Sequence, residues 1–282
     1  MTLKQAYAKC KELLRENNFE GYEFEARTLL EAATGASRAT LIANSDRELD
    51  AKEKSTLDEL LNRRLKHIPL QYILGSWSFC GFDFFVGEGV LIPRDDTEVV
   101  VKLCIDFLKN RSGKATLDLC AGSGAISVAL NKLANAEVTA VELSEKAFIF
   151  LEKNISRNNT DIKAVKADIF SCYNAFENGA FDLIVSNPPY IKSDEIDSLQ
   201  QEVLFEPRTA LDGGESGYIF YESIISNWSK KLKFGGALAF ELGEEQADYV
   251  ASLMQASGFG NIRIENDFGG IQRAIIGTML NE

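Results

Sequence analysis

Histidine is almost absent from this chain: 282 residues contain one, His67. A single imidazole cannot build a histidine-based metal cluster. Cysteine is sparse as well, with Cys10, Cys80, Cys104, Cys120 and Cys172 scattered, odd in number and lacking any C-x-x-C. That pattern supports neither a disulfide framework nor a zinc site, so no metal is expected. No run of about 18 apolar residues occurs, which argues against a membrane span. The opening M-T-L-K-Q-A-Y-A-K-C-K-E-L-L is amphipathic without an uninterrupted signal-peptide core, so a cytoplasmic protein with no membrane partner is expected. Positive charge is short too: the net charge is −12, which opposes bulk attraction to nucleic acid. The segment through Gly75 holds 12 Lys/Arg and 12 Asp/Glu, so the whole excess of acid lies beyond it. A DNA partner is not expected. There is also no internal repeat and no low-complexity tract.

What is present is core material, 45% hydrophobic against 26% charged, in a length that suggests two domains. The first 75 residues read as helices. Thr2 can cap a run over 3–17 in which Leu3, Ala6, Tyr7, Cys10, Leu13 and Leu14 recur at helical spacing. A second run, 22–34, stops at Gly35; Ser37 starts a short third, and 51–66 forms a longer one before Pro69. This is either a docking module or a buttress for the larger domain. Residues 70–92, rich in aromatics and glycine, suggest a β-hairpin linker. From about 93, strands are expected at 115–120, 137–142, 162–166, 181–186, 236–242, 261–266 and 273–278. Helices fall between most of them, at 95–109, 125–134, 145–157, 216–232 and 244–257. Such alternation predicts a Rossmann-like α/β domain, a parallel sheet with helices on both faces. The expected domains are therefore a helical one (1–75), a hairpin linker (76–92) and a catalytic one (93–282).

In such a sheet a ligand sits beyond the C-terminal strand ends. The first strand runs into D-L-C-A-G-S-G-A, where Gly122 and Gly124 permit a tight turn and close backbone approach. Asp118, Gly122 and Gly124 are candidate cofactor residues. Glu142, ending the second strand, can accept two ribose hydroxyls, and Asp168, after the third, can accept from an adenine amino group, beside Ile169. Ser127 stands where a dinucleotide fingerprint wants its third glycine, which disfavours NAD. An acid before the glycines, with acids after strands two and three, resembles the S-adenosylmethionine-dependent methyltransferases. A sulfonium cation also suits an acidic domain.

The fourth strand ends in S-N-P-P-Y, Ser186 to Tyr190. Two prolines stop a strand and stiffen the chain after it. A strand stop alone would explain the prolines, but not the amide before them and the ring after. The stretch resembles the [DN]-P-P-[YFW] motif of methyltransferases acting on nitrogens conjugated to a planar system. The side-chain oxygen of Asn187 and the carbonyl of Pro188 can hold two N–H groups of such a nitrogen. They thereby aim its lone pair and stabilise the charge that forms. Asn187, Pro188 and Tyr190 are the catalytic candidates, and Asn187, Pro188, Pro189 and Tyr190 the substrate-binding ones. The motif alone allows adenine, cytosine or a glutamine amide.

Six segments occur in one order: H-I-P-L-Q-Y-I-L-G (67–75), L-I-P-R-D-D-T-E (91–98), N-P-P-Y-I (187–191), E-P-R-T-A-L-D-G-G-E-S-G (206–217), F-E-L-G (240–243) and D-F-G-G-I-Q-R (267–273). Together they resemble the peptide chain release factor glutamine methyltransferases, the HemK/PrmC family, over almost the whole chain. The resemblance implies a class I methyltransferase fold and S-adenosyl-L-methionine as cofactor, held at Cys120, Ala121, Gly122, Ser123, Gly124, Glu142, Asp168, Ile169 and Asn187, with S-adenosyl-L-homocysteine as product. It implies methylation of the glutamine N5 in the Gly-Gly-Gln motif of class-I release factors, docked partly through the helical domain; a monomer is expected. An adenine amino-methyltransferase sharing Asn-Pro-Pro-Tyr is the alternative, and a non-catalytic cofactor-binding module a third. The family commonly has Gly-Thr at Cys120-Ala121, Asp at Glu142 and Pro at Asp95, so a slightly displaced loop is expected at Cys120. Arg94 and Glu98 are candidates for supporting the cofactor's methionine end, a surface ion pair being the other reading of Arg94. Glu206, Pro207 and Arg208 read as a loop closing over substrate, or else as a turn before the next helix.

Overall fold

The computed structural model describes residues 1–280; the last two residues of the expected 93–282 domain lie outside them. The chain divides into two compact units. The first comprises Met1–Gly75 together with Gln201–Phe205, the second Ser76–Gln200 and the chain from Glu206 onward. No helix among the described residues is long and apolar enough to cross a membrane.

The first unit holds α1 (Leu3–Glu16), α2 (Tyr22–Thr34), α3 (Arg38–Ala43), α4 (Ala51–Arg64) and α5 (Leu70–Leu74). Thr2 caps α1 in a reciprocal box with Gln5, and Asp50 does the same for α4 with Glu53, each satisfying two orphan helix-end donors. Gly35 ends α2 in the left-handed conformation. The apolar faces close on a core that includes Leu3, Cys10, Leu14, Leu29, Leu30 and Leu57. Within this unit the buried Arg64 guanidinium binds Glu25 at 2.6 and 3.0 Å and Glu202 at 3.1 Å, and lies 4.0 Å over the Phe19 ring.

The second unit begins with a hairpin, β1 (Ser76–Phe79) and β2 (Phe82–Phe85). The hairpin expected over 70–92 is thus shorter at its start, because Pro69 and Gly75 bracket 70–74 as helix start and stop. There follow α6 (Thr97–Leu108), β3 (Ala115–Leu119), α7 (Ala125–Ala134), β4 (Glu137–Glu142), α8 (Glu145–Arg157), β5 (Lys163–Lys166) and β6 (Phe181–Ser186). The chain ends with α9 (Ile219–Trp228), β7 (Leu232–Glu241), α10 (Ala247–Ala256), β8 (Phe259–Asn266) and β9 (Gln272–Met279). The sheet order is β5-β4-β3-β6-β7-β9-β8. It is mixed, not wholly parallel as expected: β9 runs antiparallel to both β7 and β8. The turn at Asp267–Ile271, closed by its own backbone bonds, is too short for a crossover and can only fold β9 back on β8. Leu117, Ile184, Tyr221, Trp228, Leu238 and Phe240 are central to the core.

Candidate active site

Strand register assembles the site. Leu119 pairs with Val141 on one side and Ser186 on the other, and Ser186 pairs with Phe240. One residue further along each strand come Cys120, Glu142, Asn187 and Glu241, side by side at one edge of the sheet. The chain winds from β3 out to β5, then returns with β6 to the other side of β3. That reversal opens the crevice where open α/β sheets take ligands.

A cavity of about 260 Å³ occupies this edge, lined among others by Leu91, Pro93, Arg94, Thr97, Phe170 and Phe220. Of the expected residues, Cys120, Ala121, Gly122, Ser123, Glu142, Asp168, Ile169, Asn187 and Pro189 line it. Glu142 takes the Gly122 N–H at 2.8 Å on one oxygen and the Ser144 N–H at 2.7 Å on the other. These donors fix the carboxylate and leave each oxygen a lone pair for a hydroxyl. Burial still pushes Glu142 above the usual carboxylate range. Asp168 accepts from the Phe170 N–H at 2.9 Å, and the Ile169 carbonyl is anchored by the Trp228 indole at 3.1 Å. Phe170 and Phe220 pack with tilted rings, centroids 5.0 Å apart and planes at 59°. Gly122 lines the cavity with φ +56°, and a Cβ there would meet no protein atom within 4 Å, standing in open space. A planar base, a diol and a cationic tail fit these residues: aromatic faces, a fixed carboxylate and an open glycine turn.

Asp118 and Gly124 do not line the cavity. Asp118 is wholly buried beneath the glycine turn, where Ser127 donates to it at 2.5 Å, and desolvation pushes its pKa up to about 7. Its Oδ1 has no hydrogen-bond partner. Gly124 is a packing residue, since a Cβ there would lie 2.6 Å from Leu151 Cδ1. Buried Asn154, on α8, ties the turn to the hairpin by donating to Ser123 O at 2.9 Å and Phe85 O at 3.1 Å.

In Asn-Pro-Pro-Tyr, Pro188 and Tyr190 are not among the residues that line the cavity: Pro188 is buried, and the Tyr190 hydroxyl lies 3.3 Å from Glu241 Oε1. The other oxygen of Glu241 accepts from Thr97 Oγ1 at 2.5 Å, and the Asn187 side-chain nitrogen donates to the same hydroxyl at 3.4 Å. Gln246 holds the Tyr190 carbonyl at 3.0 Å. Thr97 and Glu241 belong to the L-I-P-R-D-D-T-E and F-E-L-G segments, yet their sequence surroundings alone assign them no role. The available signal is an acid ending an apolar strand, A-L-A-F-E, next to the strand that ends in Ser186.

Arg94 lines the cavity and pairs with Glu206, whose carboxylate also takes the Ile92 N–H at 3.0 Å. It is neither a plain surface pair nor free. Glu98 instead accepts from the Cys80 N–H and borders a different cleft. Pro207, Thr209 and Ala210 line the cavity, a single 3₁₀ turn spans Arg208–Ala210, and the next α-helix starts only at Ile219, so the segment is a cavity loop. Arg208 turns away to Asp212 and Asp197.

Comparison with known proteins decides the family. The PrmC N-terminal domain matches residues 5–75 and the methyltransferase small domain residues 93–233. The release factor glutamine methyltransferase of Geobacter sulfurreducens is 39% identical over 280 residues, covering 99% of this chain and 97% of that protein. The chain belongs to the release factor glutamine methyltransferases. A Clostridium acetobutylicum member is 35% identical over 281 residues, 98% of each chain. A methyltransferase structure from Pyrococcus furiosus, 22% identical, superposes with TM-score 0.53 over 71% of this chain and 90% of its own, which supports the Rossmann-like fold. Cys120, where the resemblance leads one to look for glycine, lies in the turn with a positive φ. It keeps the left-handed conformation glycine would take, φ +62°, and bears the strain.

Proposed function

We propose that this protein transfers a methyl group from S-adenosyl-L-methionine to the side-chain amide nitrogen of the glutamine in the Gly-Gly-Gln motif of class-I release factors, leaving S-adenosyl-L-homocysteine. The carrying observation is the Asn187 carboxamide, braced by Pro188-Pro189 at the cavity edge with its nitrogen on Thr97. When bound, the cofactor supplies an electrophilic methyl group on a sulfonium centre. Glu142 would hold its ribose, Asp168 and the Phe170–Phe220 pair its base, and the turn 120–123 its remaining length.

The residues' own work is orientation and electrostatics. An amide nitrogen is a poor nucleophile because its lone pair is delocalised. Asn187 Oδ1 and the Pro188 carbonyl accept its two N–H groups, fix its direction and stabilise positive charge as it develops. Tyr190, held at hydroxyl and carbonyl, keeps that stretch rigid. The neutral helical unit is proposed to help dock the release factor. A release factor substrate would put the work in the cytoplasm, and a monomer is proposed as the working unit. Full-length relatives support glutamine over adenine as acceptor.

The test is transfer of labelled methyl to a purified release factor, its Gly-Gly-Gln→Gly-Gly-Ala variant and adenine-containing DNA. Label on the unmodified factor alone is the expected result. Label on DNA, or none anywhere, overturns the reading. Asn187→Ala should abolish transfer while cofactor binding persists.

A further inference from the structure

A carboxamide has an accepting and a donating end of nearly equal size, so its neighbours decide which way it faces. For Asn187 the choice matters: an amide substrate brings two N–H donors, and only the oxygen can receive one. The structure contains a chain of bonds that makes the choice. A threonine hydroxyl has one proton, and Thr97 spends it on Glu241 Oε2 at 2.5 Å. Only oxygen lone pairs are then left toward Asn187, whose Nδ2 sits 3.4 Å away. The nitrogen end is engaged and Oδ1 remains free to accept. The same carboxylate receives the Tyr190 hydroxyl on its other oxygen.

Resting on the proposed function, we propose that Thr97 and Glu241 are positioning residues: the ionised Glu241 carboxylate holds the Thr97 proton and so keeps the accepting end of Asn187 turned to the substrate amide. Protonation reverses the chain. A neutral Glu241 donates to Thr97, the Thr97 proton turns toward Asn187, and the favoured partner becomes Oδ1. The NH₂ end then faces the substrate's own donors, and transfer stops.

The groups around Glu241 place this reversal in an accessible range. Burial acts most strongly and pushes its pKa up to about 7, Asp96 ahead of α6 adds to that, and Arg273 on β9, Thr97 and Tyr190 oppose it. Arg273 is itself shared with Asp267 at 3.3 Å and Asp96 at 3.7 Å. Tyr221 on α9 meets the Glu241 backbone carbonyl at 2.9 Å, not the carboxylate.

The experiment has an arm that needs no substrate. The side-chain ¹⁵N resonance of Asn187, assigned by its loss in Asn187→Ala, is followed against pH in the full-length protein. It should shift through an inflection near neutrality, and the inflection should vanish in Glu241→Gln and Thr97→Val. A resonance indifferent to pH, or one that still titrates in Glu241→Gln, overturns the proposal. In methyl transfer to a release factor, Thr97→Val should lower kcat about 10- to 100-fold with a smaller change in KM, one lost hydrogen bond to the reacting unit. Thr97→Ser should restore most of it, and the acid limb of kcat should be missing in Glu241→Gln. An unaltered limb in that variant counts against the proposal. If Asn187 titrates as described and no methyl reaches the factor, the proposed function fails while the positioning network stands.

Discussion

Arg94 closes on the buried carboxylate of Glu206, which also takes the Ile92 N–H. The pair fastens the loop carrying Pro207, Thr209 and Ala210 to the segment carrying Leu91 and Pro93, two walls of the same cavity. Arg94→Ala leaves Glu206 with one partner in a site where burial already raises its pKa. The loss should be about 1–3 kcal/mol, after discounting for the partial exposure of Arg94. Glu206→Gln should cost less, because its neutral oxygen still accepts from Ile92. Urea unfolding gives the stabilities, and calorimetric titration with S-adenosylhomocysteine should show weaker binding in Arg94→Ala. Unchanged affinity there would mean the pair does not shape the cavity.

The two glycines of the turn should fail in different ways. Gly122→Ala adds a methyl that meets no protein atom, so its stability cost is only the left-handed backbone, about 1–2 kcal/mol. That methyl would stand in the space proposed for the cofactor, so cofactor affinity should fall further than stability. Gly124→Ala drives a methyl to within 2.6 Å of Leu151 Cδ1 and should cost about 2–4 kcal/mol, strain and overpacking together. Equal losses of stability in the two variants would contradict this division of labour.

Much of this site was legible along the chain because local chemistry marks it. Glycines flag the turn, acids flag strand ends, and adjacent prolines flag a rigid stop after Ser186. Caps were equally plain: Thr2 and Gly35 announce helix ends by chemistry that acts within four residues. What stayed hidden depends on residues far apart in sequence. Nothing near Thr97 signals Glu241, because their bond exists only once α6 packs against the strand end. The antiparallel course of β9 follows from the length of one turn, and periodicity carries no strand direction. The capture of Gln201–Phe205 by the helical unit turns on Glu202 meeting Arg64 and His67, which no local pattern records.

Arg64 should be among the costliest positions to alter in the first unit. It is 5% exposed, meets Glu25 as a two-pronged fork, reaches Glu202 and the Ile68 carbonyl, and lies over Phe19. Arg64→Ala strands the Glu25 carboxylate and should cost about 3–5 kcal/mol. Arg64→Lys should recover less than half, since a point charge cannot fill both prongs and the stacked plane. Limited proteolysis should then cut first within residues 1–75. A lysine variant as resistant as the parent would show that charge alone suffices.

Glu241 ties function to stability with opposite signs. Burial lifts its folded pKa to about 7, above the ordinary 4.5, so between those values the folded protein keeps a proton the unfolded chain has released. Stability from this group is therefore complete below about pH 4.5 and is lost as pH rises toward 7, by about 1–3 kcal/mol in all. Asp118, pushed up to about 7 as well, contributes with the same sign, so the comparison must be between variants. Glu241→Gln should flatten its share of the slope and melt higher than the parent at pH 8, even as methyl transfer falls. The acid that orients Asn187 when ionised is then one the fold would rather keep neutral, a cost retained for activity. Parallel pH–stability curves for parent and variant would show that the carboxylate is not desolvated as its burial implies.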